Sequence, residues 1–338
     1  MEKYVIALDA MGGDHAPDAM VQGAIGALRQ FEDVRIELAG PEDRLKALVA
    51  SAGEVRSRIG IIPADEVIGM DDSPMLAVRK KTRSSMVQAM LAVREGRAGA
   101  MVSAGSTGAL LACGMLRLGR IPGIERPALA PVLPGVKGPW MLIDCGANVD
   151  CQPKYLVQFG LMGSVYMKSV MGVADPRVGL VNIGTEVEKG NRLAKETYEK
   201  MRAQTSYRFC GNCEAREIPS GDFDVVVTDG FDGNIILKYT EGLACAMMSM
   251  LKESLMASAG TKLGALLCKP GFRDFKKKMD YNAYGGAPLL GVEGAVVKAH
   301  GSSGGEAVQN AIRQARTMLE GRVVEKIREG LSGLGGEN

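Results

Sequence analysis

Five short apolar segments recur along the sequence, and each runs into a loop of glycines and small polar residues before a helical pattern begins. They are YVIALDAMGGDHAP, AMVSAGSTGALLA, MLIDCGANVD, VGLVNIGTEVEKGN and DVVVTDGFDGNIILK. Buried strands that end in such loops are typical of an open α/β sheet, which binds ligands at the carboxyl ends of its strands. Glycine ends strands in many proteins, but that does not account for the Asp, Asn, Ser and Thr beside these glycines. We therefore predict that the five loops share one crevice.

Strand-like and helical segments alternate along the whole chain, which predicts parallel strand pairing through right-handed crossovers. The predicted strands lie at residues 4–8, 34–39, 58–62, 100–102, 140–143, 178–183, 225–227 and 294–300. Residues 121–139 are proline-rich and predict an extended connection, and residues 306–327 predict a single closing helix. We expect one α/β domain over residues 1–338.

Residues 239–282 depart from this alternation and predict a helical hairpin inserted in the domain. Leucine and methionine recur there at intervals of four, at Leu243, Met247 and Leu251, which makes an apolar stripe for a partner helix. The predicted turn is unusually apolar, with lysines flanking its leucines, a pattern that favours contact with a membrane surface. The predicted membrane-contact residues are Leu263, Leu266 and Leu267.

The totals exclude several classes of protein. The net charge of +2 over 338 residues gives no overall field for nucleic acid. Seven cysteines, an odd number, favour a reduced cytosolic protein over a disulfide framework. No apolar run approaches the ~20 residues of a spanning helix, and the first strand begins too early for a signal peptide. We expect a cytoplasmic protein whose membrane contact, if any, is peripheral.

Two motifs suggest chemistry that other residues argue against. The run from Gly301 to Gly305 matches G-x-S-x-G, but a hydrolase of that type needs its histidine after the serine. Only His15 and His300 are present, and both precede it, so we expect Ser302 and Ser303 to cap a helix or line an anion loop. Cys210 and Cys213 have zinc or redox spacing, yet no second close pair accompanies them, and a structural role is favoured.

Nucleotide fingerprints are also missing, because the chain has neither G-x-G-x-x-G nor Gly-Lys followed by Ser or Thr. This absence argues against a dehydrogenase or an ATPase. Two stretches favour an anion instead. In VRKKTRSS, residues 78–85, four cations precede a predicted helix start, although a solvated charge run remains an equal alternative. In SAGSTGA, residues 103–109, small side chains let backbone amides approach an anion closely.

Seven motifs in this order resemble the PlsX family of bacterial phosphate acyltransferases of phospholipid synthesis. They are ALDAMGGDHAP, VRKKTRSSM, SAGSTGALLA, DCGANVD, NIGTEVEKGN, GNCEAREIPSGDFDVVVTDGFDGN and YGGAPLLGVEGAVVKAHGSS, and they cover essentially the whole chain. The chain departs from the family pattern mildly, at Ser106, at His15-Ala16 and at Cys213-Glu214-Ala215.

This resemblance implies reversible transfer of a long acyl group from acyl carrier protein to inorganic phosphate, with no nucleotide or metal. It also implies a homodimer and a Rossmann-like α/β/α sandwich related to the isocitrate/isopropylmalate dehydrogenases and the phosphotransacetylases. A membrane glycerol-3-phosphate acyltransferase would use the acyl phosphate, so that enzyme and the membrane surface are further expected partners.

Phosphate is itself the nucleophile in such a reaction, so the protein must supply cations, amides and a donor for the thioester oxyanion. Lys189 follows a strand-end loop and opens a helix, which makes it the candidate catalytic cation. Asn234 is the candidate donor to the carbonyl oxygen. The candidates for binding phosphate or substrate are Asp9, Gly12, Gly13, Asp14, Lys81, Ser84, Ser103, Gly105, Ser106, Thr107, Gly108, Asp144, Asn148, Asp229 and Gly233. For each aspartate, a purely structural role in its loop is an equal alternative.

Two other functions remain open on the sequence alone. One is a short-chain phosphotransacetylase acting on acyl-CoA, which would need neither an acyl channel nor a basic docking surface. The other is a catalytically silent scaffold that senses phosphate or lipid. A carrier protein is acidic, and two basic clusters could receive it, Arg79–Arg83 and Arg273–Lys278. We expect the second to dock the carrier and the first to bind phosphate groups.

Overall fold

The computed structural model describes residues 2–278 and 284–334. Its strands are β1 Tyr4–Asp9, β2 Val34–Gly40, β3 Ile59–Pro63, β4 Ala100–Ser103, β5 Ala128–Leu129, β6 Val132–Leu133, β7 Trp140–Ile143, β8 Arg177–Asn182, β9 Arg208–Glu214, β10 Val225–Val227, β11 Ala287–Leu290 and β12 Ala295–Lys298. Its helices are α1 Asp18–Gln30, α2 Glu42–Val49, α3 Pro74–Lys80, α4 Ser85–Arg94, α5 Thr107–Cys113, α6 Pro153–Ser169, α7 Arg192–Ala203, α8 Gly230–Met256, α9 Ala259–Leu267, α10 Lys269–Lys278, α11 Gly305–Glu320 and α12 Val323–Leu331.

The strands form two sheets, a feature that the sequence did not predict. The first sheet has the order β3-β2-β1-β4-β12-β11-β5, and the second has the order β6-β7-β10-β8-β9. The pairs from β3 to β12 in the first sheet are parallel, as are those from β7 to β9 in the second, which confirms the predicted parallel pairing. The antiparallel strands lie at one end of each sheet. They are β11 and β5 in the first sheet and β6 in the second.

Side chains of β1 alternate between two apolar layers, as the period of two in a strand requires. Ile6 and Leu8 join the core that also contains residues of α1 and α11, whereas Ala7 faces the core that contains residues of α4 and α5. The first sheet is thus covered by helices on both faces, which explains why its central strands are almost wholly apolar.

The second sheet is covered in the same way but more thinly. Met141, Ile143 and Val225 pack in the large core with the buried side chains of α6. On the other face Leu142 and Val226 belong to a small cluster, against which Leu237 of α8 packs. This small cluster is the part of the core closest to the start of α8, so α8 is anchored at one end only.

Four local predictions differ from the structure. Strand β9 was missed because RFCGNCE contains two charged residues, an asparagine and a glycine. Strand β11 was missed within a proline- and glycine-rich stretch, and β5 and β6 interrupt the connection expected to be extended. The predicted closing helix is two helices, because Arg322 adopts a left-handed conformation (φ 51°) between α11 and α12.

The predicted hairpin is also different in detail. Helix α8 begins at Gly230, so the segment that leaves the sheet is continuous with the loop after β10. The residues expected to form the turn of the hairpin are the cap and first turn of α9, with Ser258 as the N-cap of a capping box. Three helices follow one another instead of two, and residues 279–282 of the predicted insertion lie outside the described residues.

Candidate active site

A cleft of about 390 Å³ lies where loops of the two sheets meet, and we call it the cleft throughout. Its lining is contributed by the start of α5, the start of α8, the segment around β5 and β6, and both ends of the β11–β12 hairpin. The lining residues are Thr107, Gly108, Leu111, Leu129, Pro131, Val132, Leu133, Cys145, Gly146, Asn234, Leu237, Lys238, Glu241, Gly285, Gly286, Ala287, Lys298, Ala299 and His300. Loops of both sheets therefore contribute to one crevice, but not all five predicted loops do.

The SAGSTGA segment forms one wall of the cleft. Ser106 is the N-cap of α5, where its hydroxyl accepts a hydrogen bond from the Ala109 amide at 3.4 Å. Thr107 and Gly108 follow and line the cleft. A Cβ on Gly108 would lie 2.9 Å from Cγ of Pro74, so glycine is what lets α3 pack against this turn. The close packing holds the first turn of α5 against the cleft.

The first turns of α8 form the opposite wall. Asp229 is the N-cap of this helix, accepting a hydrogen bond from the Asp232 amide at 2.8 Å, and its partial burial raises its pKa. Asn234, Leu237 and Lys238 follow on the side that lines the cleft. The side chain of Asn234 is exposed and makes no hydrogen bond to a described residue, so its amide is available to a ligand.

Lys298 and His300 lie at the carboxyl end of β12, and the sequence analysis assigned neither a role. Lys298 is buried, and its Nζ donates to the carbonyl of Ala104 at 3.5 Å and to that of Ala299. Nδ1 of His300 accepts from the Ser302 amide at 3.3 Å and lies 2.8 Å from Ser302 Oγ. The motif AVVKAHGSS carried the signal, because it puts a lysine where an apolar strand ends.

Asp9 and Ser103 form a buried pair behind the α5 wall. Ser103 Oγ donates to Asp9 Oδ2 at 2.6 Å and accepts from the Gly105 amide at 3.0 Å. Burial raises the pKa of Asp9, and the hydrogen bond from Ser103 opposes that rise. A Cβ on Gly12 would lie 2.6 Å from Asp9 Oδ2 and 2.7 Å from the Gly105 nitrogen. These residues do not line the cleft; they hold the loops after β1 and β4 together.

Gly13 and Asp14 join the same loop to the loop after β12. Gly13 has φ +100°, and a Cβ there would approach the carbonyl oxygen of Gly301 to 3.0 Å. The Asp14 amide donates to the same carbonyl at 2.8 Å. The β1 loop thereby sets the position of the segment that carries Lys298 and His300.

Asp144 fixes the loop after β7 and is wholly buried. Its Oδ1 accepts from the amides of Leu129 (2.8 Å) and Cys145 (2.7 Å), and its Oδ2 accepts from the amide (2.7 Å) and side chain (3.1 Å) of Asn148. Burial outweighs these hydrogen bonds and raises the pKa of Asp144 to about 6. Gly233 packs against this loop, since a Cβ there would collide with the Asp144 carbonyl.

The remaining predicted residues lie away from the cleft. Lys189 is exposed and follows β8, which is the neighbour of β10 in the second sheet, so it lies at the same sheet edge as Asn234. Lys81 is in an ion pair with Asp72 at 2.5 Å, and this contact lowers the pKa of Asp72. Ser84 is the buried N-cap residue of α4. None of these three contributes to the lining of the cleft, so their roles stay predictions.

The structure bears on two rejected motifs as well. Cys210 and Cys213 lie on strand β9, with Cys210 exposed and Cys213 buried, so their side chains do not face one another as a redox pair would. The N-cap of α11 is Gly304, so the expected capping role of Ser302 and Ser303 is wrong. Within residues 2–278 and 284–334, no cluster of three His, Cys, Asp or Glu side chains could hold a metal ion.

The cleft combines an apolar wall with a few convergent polar groups, which is the usual form of a small-molecule site. Leucines 111, 129, 133 and 237 supply the apolar part, and Lys298, Lys238 and Asn234 supply two cations and an amide donor. Chemically, this arrangement suits a substrate that has an apolar chain beside a polar group, together with an anion bound by the two lysines.

Comparison with solved structures defines the class of fold. The chain is similar to a phosphotransacetylase from Streptococcus pyogenes (TM-score 0.62, 17% identity, 94% of each chain covered) and to the EutD phosphotransacetylase from Staphylococcus aureus (TM-score 0.60, 16% identity, 94% of each chain). At these identities the likeness concerns the fold alone. The protein therefore has the mixed α/β fold with parallel sheets found in phosphotransacetylases, as the sequence predicted.

Sequence comparison is more specific. The family described as "Fatty acid synthesis protein" matches residues 4–326. The chain is 52% identical over 324 residues to a phosphate acyltransferase of Clostridium perfringens (96% of both chains) and 50% identical over 330 residues to one of Alkaliphilus oremlandii (98% of both). The chain belongs to this family of enzymes, the phosphate acyltransferases or PlsX family. Among the described residues, no helix combines the length and apolar character needed to cross a membrane.

Proposed function

We propose that this protein reversibly transfers a long-chain acyl group from acyl carrier protein to inorganic phosphate, supplying acyl phosphate for phospholipid synthesis. Hydrogen phosphate attacks the thioester carbonyl, a C–O bond forms, and the C–S bond breaks. The proton of hydrogen phosphate ends on the leaving thiolate, so acyl phosphate and free carrier thiol are formed without a cofactor. The observation that carries the proposal is the cleft, whose lining combines four leucines with two lysines and an exposed asparagine.

Each part of the cleft matches one part of this reaction. The apolar wall suits the first carbons of an acyl chain, because apolar surface is buried favourably there. Asn234 is free to donate to the carbonyl oxygen as it becomes an oxyanion, where a positioned donor has its largest effect. No side-chain nucleophile is needed. The thiol of Cys145, which lines the cleft, is a poor one, since burial raises its pKa well above the usual range.

The function is tested by incubating purified protein with long-chain acyl-acyl carrier protein, with and without inorganic phosphate, and measuring free carrier protein. We expect release that depends on phosphate. Release of free CoA from acetyl-CoA, in preference to release of carrier protein from its acyl form, would favour a short-chain phosphotransacetylase. No release from either substrate would favour a non-catalytic scaffold.

Lys189→Ala is expected to lower turnover by about 100-fold, the loss typical of one positioned electrostatic donor, without loss of stability. Lys189 is exposed, so its replacement removes a charge but little packing. Turnover and the unfolding midpoint are measured beside Lys195→Ala, an exposed lysine on α7. Near wild-type turnover in Lys189→Ala would exclude Lys189 from the chemistry and leave the cleft as the whole site.

A homodimer would cover the part of α8 that leaves the sheets. Within the described residues, the buried positions of α8 are confined to Gly230 and Gly233. Beyond them Leu243, Met247 and Leu251 are 44%, 57% and 38% exposed. A second copy of this helix would bury the stripe as a helical bundle. This interface is a proposal that rests on the exposed stripe and on the resemblance.

Peripheral membrane contact is proposed for α9. Leu263, Leu266 and Leu267 are 61%, 64% and 75% exposed. Lys262 and Lys269 flank them, and each lysine adds only ~1 kcal/mol at an anionic surface, so the association would be weak and reversible. Such contact would bring acyl phosphate to a membrane glycerol-3-phosphate acyltransferase and would place a cytoplasmic enzyme at the inner face of the membrane.

Leu266→Glu with Leu267→Glu is expected to abolish cosedimentation with anionic vesicles while the protein keeps its oligomeric state and its activity in solution. The control is Gln22→Glu with Gln152→Glu, which adds the same charge at exposed sites away from α9. Vesicle binding equal to wild type, or loss of the dimer, would show that α9 belongs to a helical bundle.

The carrier protein is proposed to dock on the later basic cluster. In the earlier one, Lys81 and Arg83 already form ion pairs with Asp72 and Asp65, which reduces their free positive charge. Arg273 of the later cluster is exposed, whereas the side chains of residues 276–278 lie outside the described set. An acidic carrier steered by such charges would bind more weakly at higher ionic strength.

A further inference from the structure

Lys298 is a buried lysine on the wall of the cleft, an unusual place for an ammonium group. Its side chain is 9% exposed. Nζ donates to two backbone carbonyls, those of Ala104 and Ala299, and has no other hydrogen-bond partner among the described residues. An ammonium group has three N–H donors. One donor of Lys298 therefore remains for a ligand in the cleft that its side chain lines.

Among the described residues, Lys298 donates to backbone carbonyls alone and has no carboxylate as a direct partner. Burial, followed by repulsion from Lys238 on the opposite wall, lowers the pKa of Lys298 to about 8, against the attraction of Asp9 and Asp14. Asp9 is itself bound to Ser103, and burial raises its pKa. Lys238 is 2.8 Å from Glu241, which is its only ion pair among the described residues, and it still faces the cleft.

Two lysines that face one cleft and repel each other are stabilised together by an anion between them. We propose that the ammonium of Lys298 is the principal ligand of the inorganic phosphate nucleophile, with Lys238 contacting the same anion from the α8 wall. This assignment rests on the function proposed above and names the residues that would hold the acceptor. Asn234, on the same wall as Lys238, is then next to the carbonyl that the phosphate attacks.

The protonation state of Lys298 gives the proposal a signature. The titratable groups that interact with Lys298 or line the cleft beside it are Asp9 and Asp14 from the β1 loop, Lys238 and Glu241 from α8, Cys145 after β7 and His300 beyond β12. Burial lowers the pKa of Lys298 itself to about 8, so its charge changes in this range. Phosphate is a dianion at such pH values, so phosphate affinity is expected to fall as the pH rises through about 8 and Lys298 loses its charge.

The test compares wild type with Lys298→Met, which keeps the unbranched stem and removes the charge, and with Lys168→Met, an exposed lysine on α6. Inorganic phosphate is titrated by calorimetry, and KM for phosphate is measured with acyl-acyl carrier protein. We expect at least a tenfold loss of phosphate affinity and a similar rise in its KM in Lys298→Met. The KM for the acyl donor should change by less than about threefold, and the pH dependence of phosphate binding near pH 8 should disappear.

Unchanged phosphate affinity and an unchanged phosphate KM in Lys298→Met would overturn the assignment, whatever the effect on kcat, because a ligand of the bound phosphate must contribute to its affinity. If Lys298→Met does not fold, Lys238→Met is used to test the phosphate site instead, because Lys238 is exposed and its replacement removes little packing. An unchanged phosphate KM in Lys238→Met, together with wild-type phosphate affinity that is constant between about pH 7.5 and 9.5, also overturns it. Wild-type protein that releases no carrier protein refutes the proposed function separately, because phosphate binding is measured without turnover.

Discussion

Asn234→Ala is expected to lower kcat by about 100- to 1,000-fold, the loss seen when one oxyanion donor is removed. The KM for phosphate should stay within about threefold of wild type, because a donor to the oxyanion acts mainly in the transition state. Asn234 lines the cleft from the second turn of α8, and a Cβ on Gly146 would lie 3.6 Å from its Cγ. Initial rates over a range of phosphate concentrations give both constants.

Asn234→Asp is the matched control, since it keeps the shape of the side chain and replaces the NH₂ donor by an acceptor. A donor role predicts a loss at least as large as that of alanine, with an unchanged unfolding midpoint for both variants. A main effect on the KM for phosphate would instead place Asn234 among the phosphate ligands. It would then act with Lys298 and Lys238, and another group would have to stabilise the oxyanion.

Asp144→Ala is expected to reduce the free energy of unfolding by at least about 3 kcal/mol, because four donors lose their acceptor and each buried unpaired donor costs ~1–3 kcal/mol. These donors come from the β5 segment and from the loop after β7, and Leu129 and Cys145 of those segments line the cleft. Denaturant unfolding measures the change. Activity should fall with it, since two segments that line the cleft depend on this one carboxylate.

The control is Asp150→Ala, an exposed aspartate of the same loop, which should change stability by less than about 0.5 kcal/mol. The pH dependence gives a second check. Burial raises the pKa of Asp144 to about 6, so the folded protein binds a proton more tightly than the unfolded chain, whose aspartates titrate near ~4. Its contribution to stability is fully present below about pH 4 and declines as the pH rises through about 6. The difference between Asp144→Ala and wild type should therefore be larger at about pH 5 than at about pH 7. Equal differences at the two pH values would show that Asp144 is ionised throughout.

The pattern of apolar residues in the sequence was sufficient to predict the elements whose residues are apolar throughout. Strands such as Val225–Val227 and Trp140–Ile143 are apolar throughout because helices or loops cover both faces, and the predicted limits agree with the structure. Strand β9 is different. It lies at the end of its sheet with one neighbour, β8, so its residues carry no continuous apolar signal.

The breaks between helices were also beyond the sequence. Residues 306–327 keep a helical pattern across Gly321 and Arg322, but the chain turns there through a left-handed residue. A Cβ on Gly321 would lie 2.8 Å from the carbonyl oxygen of Ser169, at the end of α6. The break therefore coincides with a packing contact against helix α6. No local sequence pattern encodes such a contact.

For the site, the sequence by itself determined which loops carry polar groups, and it identified Asn234, Thr107 and Gly108, which the structure places on the cleft. Glycines and small polar residues after a strand have a local cause, the geometry of a strand end, so they can be recognised without the fold. Only the tertiary structure decided that two sheets meet there and that Lys298 faces Lys238 across the space. The pKa of Lys298 depends on burial and on charges more than fifty residues away in sequence, because electrostatic interactions depend on distance in space.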